Sequence, residues 1–392
     1  PVTSGSTIFW RVDFDGLARD GIIDGWVPAT DLALPYFPPR DSAGGWRALV
    51  PRGGTPSAEQ KAATRARGGV DWDKLKLARD YSASFGTTDT SVLVIRNGYV
   101  VGDWGSQALY TLASVSKGLA GLTVMRLLDL ADSGGLPASF DLDTPAHQLL
   151  PAEWLAGDPA KAAIRIRHFM THTSGLEAHD KPGVADYYNV IMNLPVLHAP
   201  YTVWAYSSAG IDLMSIAIQN ATGLRLGDAF NQHVAAPIGA GAFRWNNTAG
   251  FTRASGTAAS VPRDLARIGY LVLHHGRWDS GAGQTPLVAR QRIHDLQYGC
   301  DCAELEHGGS GWPYAPRVAG MTWWNNLTGE LLGERVPGDA VLTSGLRETL
   351  LVVVRSRNLV VVRFGKEPRS LDEFRRVFMD LVMRALVAPT AS

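Results

Sequence analysis

The sequence predicts an α+β fold in which an antiparallel sheet, drawn from both ends of the chain, is flanked by helices and interrupted by an inserted all-helical domain. Three observations carry this expectation. Strand-like hairpins occur early and late, the stretch between them is mainly helical, and a helix-spaced segment follows the last strand.

The first hairpin is Ser91-Val-Leu-Val-Ile-Arg-Asn-Gly-Tyr-Val-Val101, two apolar runs around Asn97-Gly98. Asn-Gly is a strong hairpin signal because both residues tolerate the positive φ of a tight turn. Next comes a helix that begins near Ser114 and runs through Lys117, Leu119, Leu122, Val124, Met125, Leu127 and Leu128 to a stop at Gly134-Gly135. Apolar residues cover almost its whole circumference, which places it at the centre of the protein. From 140 to 280, helical stretches such as Ile211 to Ala221 and Pro262 to His275 alternate with loops. The late hairpin joins Thr349 to Val354 and Leu359 to Phe364 through Arg355-Ser356-Arg357-Asn358, and Leu371 to Val387 has helical spacing.

Residues 1–70, rich in Pro, Gly and Ala, read as an irregular N-terminal wrap; 71–140 and 281–392 form the sheet domain, and 141–280 the helical domain. Internal repeats and low-complexity tracts are absent.

Composition narrows the function. Thirty-seven basic residues balance thirty-seven acidic ones, so no overall field attracts nucleic acid or an anionic membrane. The expected partner is a small molecule. No apolar run approaches the roughly eighteen residues of a membrane span, so a soluble protein is expected. Residues 1 to 25 show no basic region followed by an apolar one, yet the chain opens at Pro1 rather than Met. The compartment therefore stays open between the cytoplasm and, after loss of a leader, the periplasm or exterior. Oligomeric state is not legible.

Cys300 and Cys302, the only cysteines, flank a single residue, which reads as two loop thiols or a local redox pair rather than an unstrained disulfide. His294 and His307 lie near them without zinc-site spacing, so no metal is expected, and no cofactor.

The sharpest chemical feature is Leu112-Ala-Ser114-Val-Ser-Lys117. A serine three residues before a lysine on a helix shares a face with it, about 5–6 Å apart at Cβ. The helix N-terminus favours a developing oxyanion at Ser114, and partial desolvation suits Lys117 to accept the serine proton. Alone the pair is common, as a cap and a solvated lysine. Here the lysine enters a helix that is apolar on nearly all sides, where a charge without purpose is costly.

A second feature, Trp204-Ala-Tyr206-Ser-Ser208-Ala-Gly210, sets a phenol and a hydroxyl just before a helical run. Tyr206 is a candidate proton relay to the leaving group, with Ser208 completing the hydrogen-bond chain; the alternative is a packed tyrosine and Ser208 as an N-cap. His168 and His172 are expected on one helix in structural roles, since the Glu of H-E-x-x-H is missing. No G-x-S-x-G elbow occurs, which removes an α/β-hydrolase reading.

The two motifs, in this order and about ninety residues apart, resemble the penicillin-recognising serine hydrolases: class C β-lactamases, D-alanyl-D-alanine carboxypeptidases, family VIII esterases and aminohexanoate-oligomer hydrolases. The stretches Ile164 to Leu176, Pro200 to Gly210 and Pro262 to Gly269 extend the likeness, which covers roughly 90 to 385. The resemblance implies a β-lactamase-like fold, Ser114 as acyl-enzyme nucleophile, Lys117 as its proton acceptor and Tyr206 as acid/base. It also implies an oxyanion hole of the Ser114 N–H and one from a strand edge near 345 to 349.

That third element departs from the pattern. β-Lactam-handling relatives carry Lys-Thr-Gly, whereas the candidate here is Thr343-Ser344-Gly345, followed by Leu346-Arg347. Without the carboxylate-binding lysine, the expected substrate is a short-chain ester or small amide rather than a β-lactam or cell-wall peptide. Arg347 is a candidate replacement cation, or simply an exposed strand-edge arginine. Trp154, Tyr187, Tyr188 and Trp204 are candidate pocket aromatics. The rival class is a non-catalytic ligand-binding relative that keeps the fold.

Overall fold

Residues 1–70 depart from the irregular wrap that their proline and glycine content suggests. A three-stranded antiparallel sheet is formed by β1 (Val2–Ser4), β2 (Thr7–Asp13) and β3 (Asp24–Pro28) in that order. Beyond it lies α1 (Ala58–Gly68). This helix has no apolar stripe to announce it, but Ser57 and Gln60 form a reciprocal capping box, the signal that composition overlooks. The computed structural model describes residues 2–4, 7–13, 24–28, 36–86, 90–136, 140–178, 185–247, 250–278, 286–308, 314–366, 368 and 370–387. Two compact units result, Pro1–Phe37 and Pro38–Ser392.

The larger unit is built on β4 (Arg47–Ala48), β5 (Ser91–Arg96), β6 (Tyr99–Gly105), β7 (Tyr110–Thr111), β8 (Val203–Trp204), β9 (Ala259–Ser260) and β10 (Glu306–His307). It continues with β11 (Trp324–Asn325), β12 (Ala340–Gly345), β13 (Thr349–Val354) and β14 (Leu359–Phe364). Its helices are α2 (Trp72–Ala83), α3 (Val115–Asp132), α4 (Glu153–Ala156), α5 (Ile166–Met170), α6 (Tyr187–Met192) and α7 (Ser208–Thr222). After these come α8 (Leu226–Phe230), α9 (Pro262–Leu273), α10 (Arg290–Tyr298), α11 (Ala315–Val318) and α12 (Leu371–Ala385).

Seven strands form the central sheet in the order β11-β12-β13-β14-β5-β6-β4, antiparallel except where β4 runs parallel to β6. The Asn97-Gly98 turn closes β5 onto β6 with φ of 52° and 77°, as the dipeptide predicts. Both sheet faces are covered, which explains why β5, β13 and β14 are buried along their whole length rather than alternating. Across β13, β14 and β5 lies α9, so close that a Cβ on Gly269 would come within 2.7 Å of Leu351 and Val360. On the opposite face Arg363 lies 4.5 Å over the Phe374 ring of α12, which stacks in turn on Tyr81 of α2.

The central helix is α3, buried around most of its circumference as its composition requires. Its contact with β12 is set by Gly118, where a Cβ would meet Thr343 Cγ2 at 2.2 Å. Helix and strand therefore touch backbone to side chain. This closeness brings the start of α3 to the end of β12. No helix among the described residues is long and apolar enough to cross a membrane.

Candidate active site

Ser114 is the N-cap of α3, reached through Ala113 at a left-handed φ of 47°. The β7–β9 ladder and the bond from Leu112 N–H to Ala258 O at 2.8 Å anchor this entry. The first turn closes on itself, with Val115, Ser116 and Lys117 N–H donating to Leu112, Ala113 and Ser114 O at 3.2, 3.0 and 3.0 Å. One turn on, Lys117 is only 3% exposed. Its Nζ donates to Ser114 Oγ at 3.1 Å and to Ser255 O at 2.6 Å.

Beside them lies Tyr206, whose ring is 4.8 Å from Lys117 Nζ. The tyrosine is fixed between two rings, stacking on Trp324 at 6.4 Å and leaning on His172 at 4.8 Å. Ser114, Lys117, His172, Tyr206, Thr343 and Ser344 line one cavity. His168 and His172 do not share a helix: His168 lies in α5, while His172 follows it at a left-handed φ of 59°. From there His172 Nδ1 accepts the Ser207 N–H at 3.2 Å, which shapes the segment that presents Tyr206. Burial and the nearby Lys117 charge pull the His172 pKa down to about 3, so this imidazole is neutral at ordinary pH.

The N-cap of α7 is Ser207, whose Oγ accepts the Gly210 N–H at 3.1 Å, and Ser208 is the first helical residue. Ser208 is not among the residues lining the two cavities beside Ser114. Sequence reasoning missed the polar chain behind Lys117. Asp212, fully buried in α7, accepts from Ser255 N–H at 2.9 Å, Ser255 Oγ at 3.0 Å and Tyr187 OH at 2.9 Å. Burial pushes the Asp212 carboxyl pKa up, against these hydrogen bonds and the Lys117 charge. The Ser255 carbonyl that takes the lysine proton donor is thus held by a carboxylate one helix away. A polar residue inside the otherwise apolar run Ile211-Asp-Leu-Met is the sequence signal that marks it.

On the strand side, a Cβ on Gly345 would meet Leu112 O at 2.5 Å and Ser114 N at 2.9 Å. Only glycine lets the end of β12 approach Ser114 this closely. Thr343 is buried against α3, and its Oγ1 has no hydrogen-bond partner among the described residues. Ser344, Gly345 and Leu346 line a second, larger cleft of about 740 Å³, open to solvent, together with Ser114, Tyr206 and Trp204. Arg347 is exposed and outside both linings, in a left-handed turn at φ 63°. It does not replace the missing lysine.

Of the expected pocket aromatics, Trp204 alone lines the cleft; Trp324, on β11, joins it. Trp154 is buried against Phe169, and Tyr187 is engaged by Asp212. Cys300 and Cys302 are joined in a disulfide, which overturns the expectation of two loop thiols but not that of a local redox pair. Asp301 takes a left-handed φ of 50°, folding the two Cα atoms to 5.1 Å, a bend that spacing alone does not reveal. The pair packs with Trp204, Ala315 and Ala319 beneath Tyr206 and Trp324.

Comparison with known proteins gives the family and the fold. The Beta-lactamase family profile matches residues 76–379. Esterase EstB of Burkholderia gladioli is 29% identical over 152 residues, 33% of this chain and 37% of the esterase. Penicillin-binding protein 4* of Bacillus subtilis (strain 168) is 27% identical over 147 residues, 34% of this chain and 30% of that protein. The chain thus spans about a third of the length of the curated relatives it matches. A solved family VIII carboxylesterase superposes with a TM-score of 0.60 at 16% identity, covering 80% of this chain and 98% of that one, which shows the fold.

Proposed function

The chain belongs to the beta-lactamase family, and from that premise we propose that it is a serine hydrolase working through a covalent acyl-enzyme on an uncharged ester or small amide. The observation that carries this reading is the 3.1 Å contact from Lys117 Nζ to Ser114 Oγ at the mouth of a cleft that Tyr206 also lines. Ser114 Oγ attacks the carbonyl carbon, and its proton passes to Lys117 Nζ acting as the base. The carbon–oxygen or carbon–nitrogen bond breaks as Tyr206 OH protonates the leaving group and takes the Lys117 proton in return. Water then attacks the acyl carbonyl, giving its proton back by the same route, and the acid departs from Ser114.

Two backbone donors suit the oxyanion. One is the Ser114 N–H at the start of α3. The other follows from strand alternation: Asn326 N–H donates to Ala340 O, so even-numbered residues of β12 direct their backbone groups toward β11. Pairing with β11 stops at Trp324↔Leu342, and the alternation carries the Leu346 N–H to the open edge beyond it. Leu346 lines the cleft with Ser114.

Substrate preference follows from the wall. Trp204, Trp324, Leu346 and Leu371 favour an apolar acyl or alcohol group, and Thr343 stands where β-lactam-handling relatives place a cation. Intact mass spectrometry after incubation with p-nitrophenyl acetate or a fluorophosphonate tests the proposal. A single adduct on wild type that Ser114→Ala lacks is expected. An unmodified wild-type protein, with no ester turnover, is the outcome of the rival binding module and ends the hydrolase reading.

A further inference from the structure

The turn after β12 is strained in a way the chemistry above does not explain. Arg347 and Glu348 follow one another at φ of 63° and 55°, two left-handed residues that are neither glycine nor asparagine. Such a pair persists only where its surroundings over-determine it, and here the surroundings are charged and buried. Arg363, fully buried on β14, donates through Nη1 to the carbonyls of both strained residues, Arg347 and, at 3.0 Å, Glu348. Its Nε donates to Ser82 Oγ at 2.9 Å and its Nη2 to Lys366 O at 3.0 Å. The Glu348 carboxylate, 2% exposed, receives Arg375 Nε at 3.1 Å on each oxygen. Arg375 is itself fully buried on α12, beside Asp372 at 3.5 Å.

We propose that Arg363 and the Glu348–Arg375 ion pair are positioning residues for the oxyanion donor: by holding the Leu346–Glu348 turn they keep the Leu346 N–H aimed at the oxygen that develops over Ser114. The proposal rests on the acyl-enzyme reading given above and names the part of the fold that sustains it. Buried charges are expensive to desolvate, and an apolar trio of similar volume would serve stability as well or better. An arginine fork that takes two successive carbonyls fixes peptide-plane orientation, which an apolar contact cannot. The donor's aim depends on that orientation, because a backbone N–H has no rotamer of its own.

The test compares Glu348→Gln and Arg363→Lys with wild type on p-nitrophenyl acetate, alongside inhibition by phenylboronic acid, whose tetrahedral serine adduct needs the same donors. The expected result is a fall in kcat of about tenfold or more, with KM within about twofold, since loss of a whole donor costs about 10²–10³-fold in kcat. Phenylboronic acid affinity should fall in parallel with kcat/KM. A wild-type kcat in either folded variant overturns the proposal, as does a change confined to KM, which would make Glu348 a substrate contact. Thermal melts identify a variant that fails to fold; Ser82→Ala, which removes one small partner of Arg363, then carries the comparison, and an unchanged kcat and boronate affinity there overturns the proposal too. If wild type neither turns over the ester nor labels at Ser114, the acyl-enzyme reading itself has failed, an outcome separate from any variant effect.

Discussion

The two walls of the cleft divide the work. In the proposed mechanism the helical wall carries the side chains that exchange protons, Ser114, Lys117 and Tyr206, backed by the polar chain through Ser255 to Asp212. On the strand wall, what approaches Ser114 is the backbone at Gly345, with charges hidden behind the turn at Arg363, Glu348 and Arg375. Proton transfer needs groups that can change state, whereas oxyanion stabilisation needs dipoles that stay put. Substitutions on the two walls should therefore leave different signatures: in pH dependence on the helical side, in kcat with unaltered pH dependence on the strand side.

The largest effect is expected at Lys117. Lys117→Ala should lower p-nitrophenyl acetate turnover by about 10⁴-fold in a protein whose thermal melt is still cooperative; activity comparable to wild type would remove the lysine from the mechanism. Gly345→Ala comes next, because its new Cβ must push against Leu112 O at 2.5 Å and Ser114 N at 2.9 Å. Displacing the strand from the nucleophile should cost about 10²-fold in kcat, with the pH–rate profile keeping its wild-type shape. A changed profile would blur the division between the walls.

Asp212→Asn acts two steps back from the nucleophile. It should lower stability by about 1–3 kcal/mol in urea unfolding and reduce kcat by less than Lys117→Ala. Full activity would show that the Ser255 carbonyl holds its place without the carboxylate. The smallest effect concerns acid. Burial lowers the pKa of His172 to about 3 and those of His168 and His274 to about 4. These imidazoles stay neutral in the folded state while the unfolded chain takes up protons below about 6.5, so acidification favours unfolding. Melting temperature should decline steadily from pH 6.5 toward 4, and His172→Asn should make that decline shallower. An equal slope would show that His172 protonates freely in the folded protein.

What sequence could reveal follows from distance along the chain. Ser114 and Lys117 are neighbours on one helical face, so spacing alone joins them, and the same locality makes the hairpin at Asn97-Gly98 and the long apolar α3 legible. The carbonyl that holds Lys117 lies 138 residues away, and a backbone oxygen leaves no mark on residue type. The resemblance narrows the second oxyanion donor only to a strand edge near 345 to 349 for a related reason: a donor N–H belongs to every residue, and the choice of Leu346 proposed above rests on the register of β12 against β11. Arg347 and Glu348 carry no turn signal, since the left-handed residues there are not the ones that prefer it. In α1 the missing apolar stripe hid a helix that its capping box announces.

The seam between α3 and β12 has a practical corollary. With Gly118 pressed on Thr343, and Gly345 on the main chain of Leu112 and Ser114, this contact line has no slack to donate to redesign. On the proposed function, retargeting toward bulkier or more polar compounds would leave that line untouched and vary the rim instead, where Leu346 and Leu371 line the solvent-open cleft.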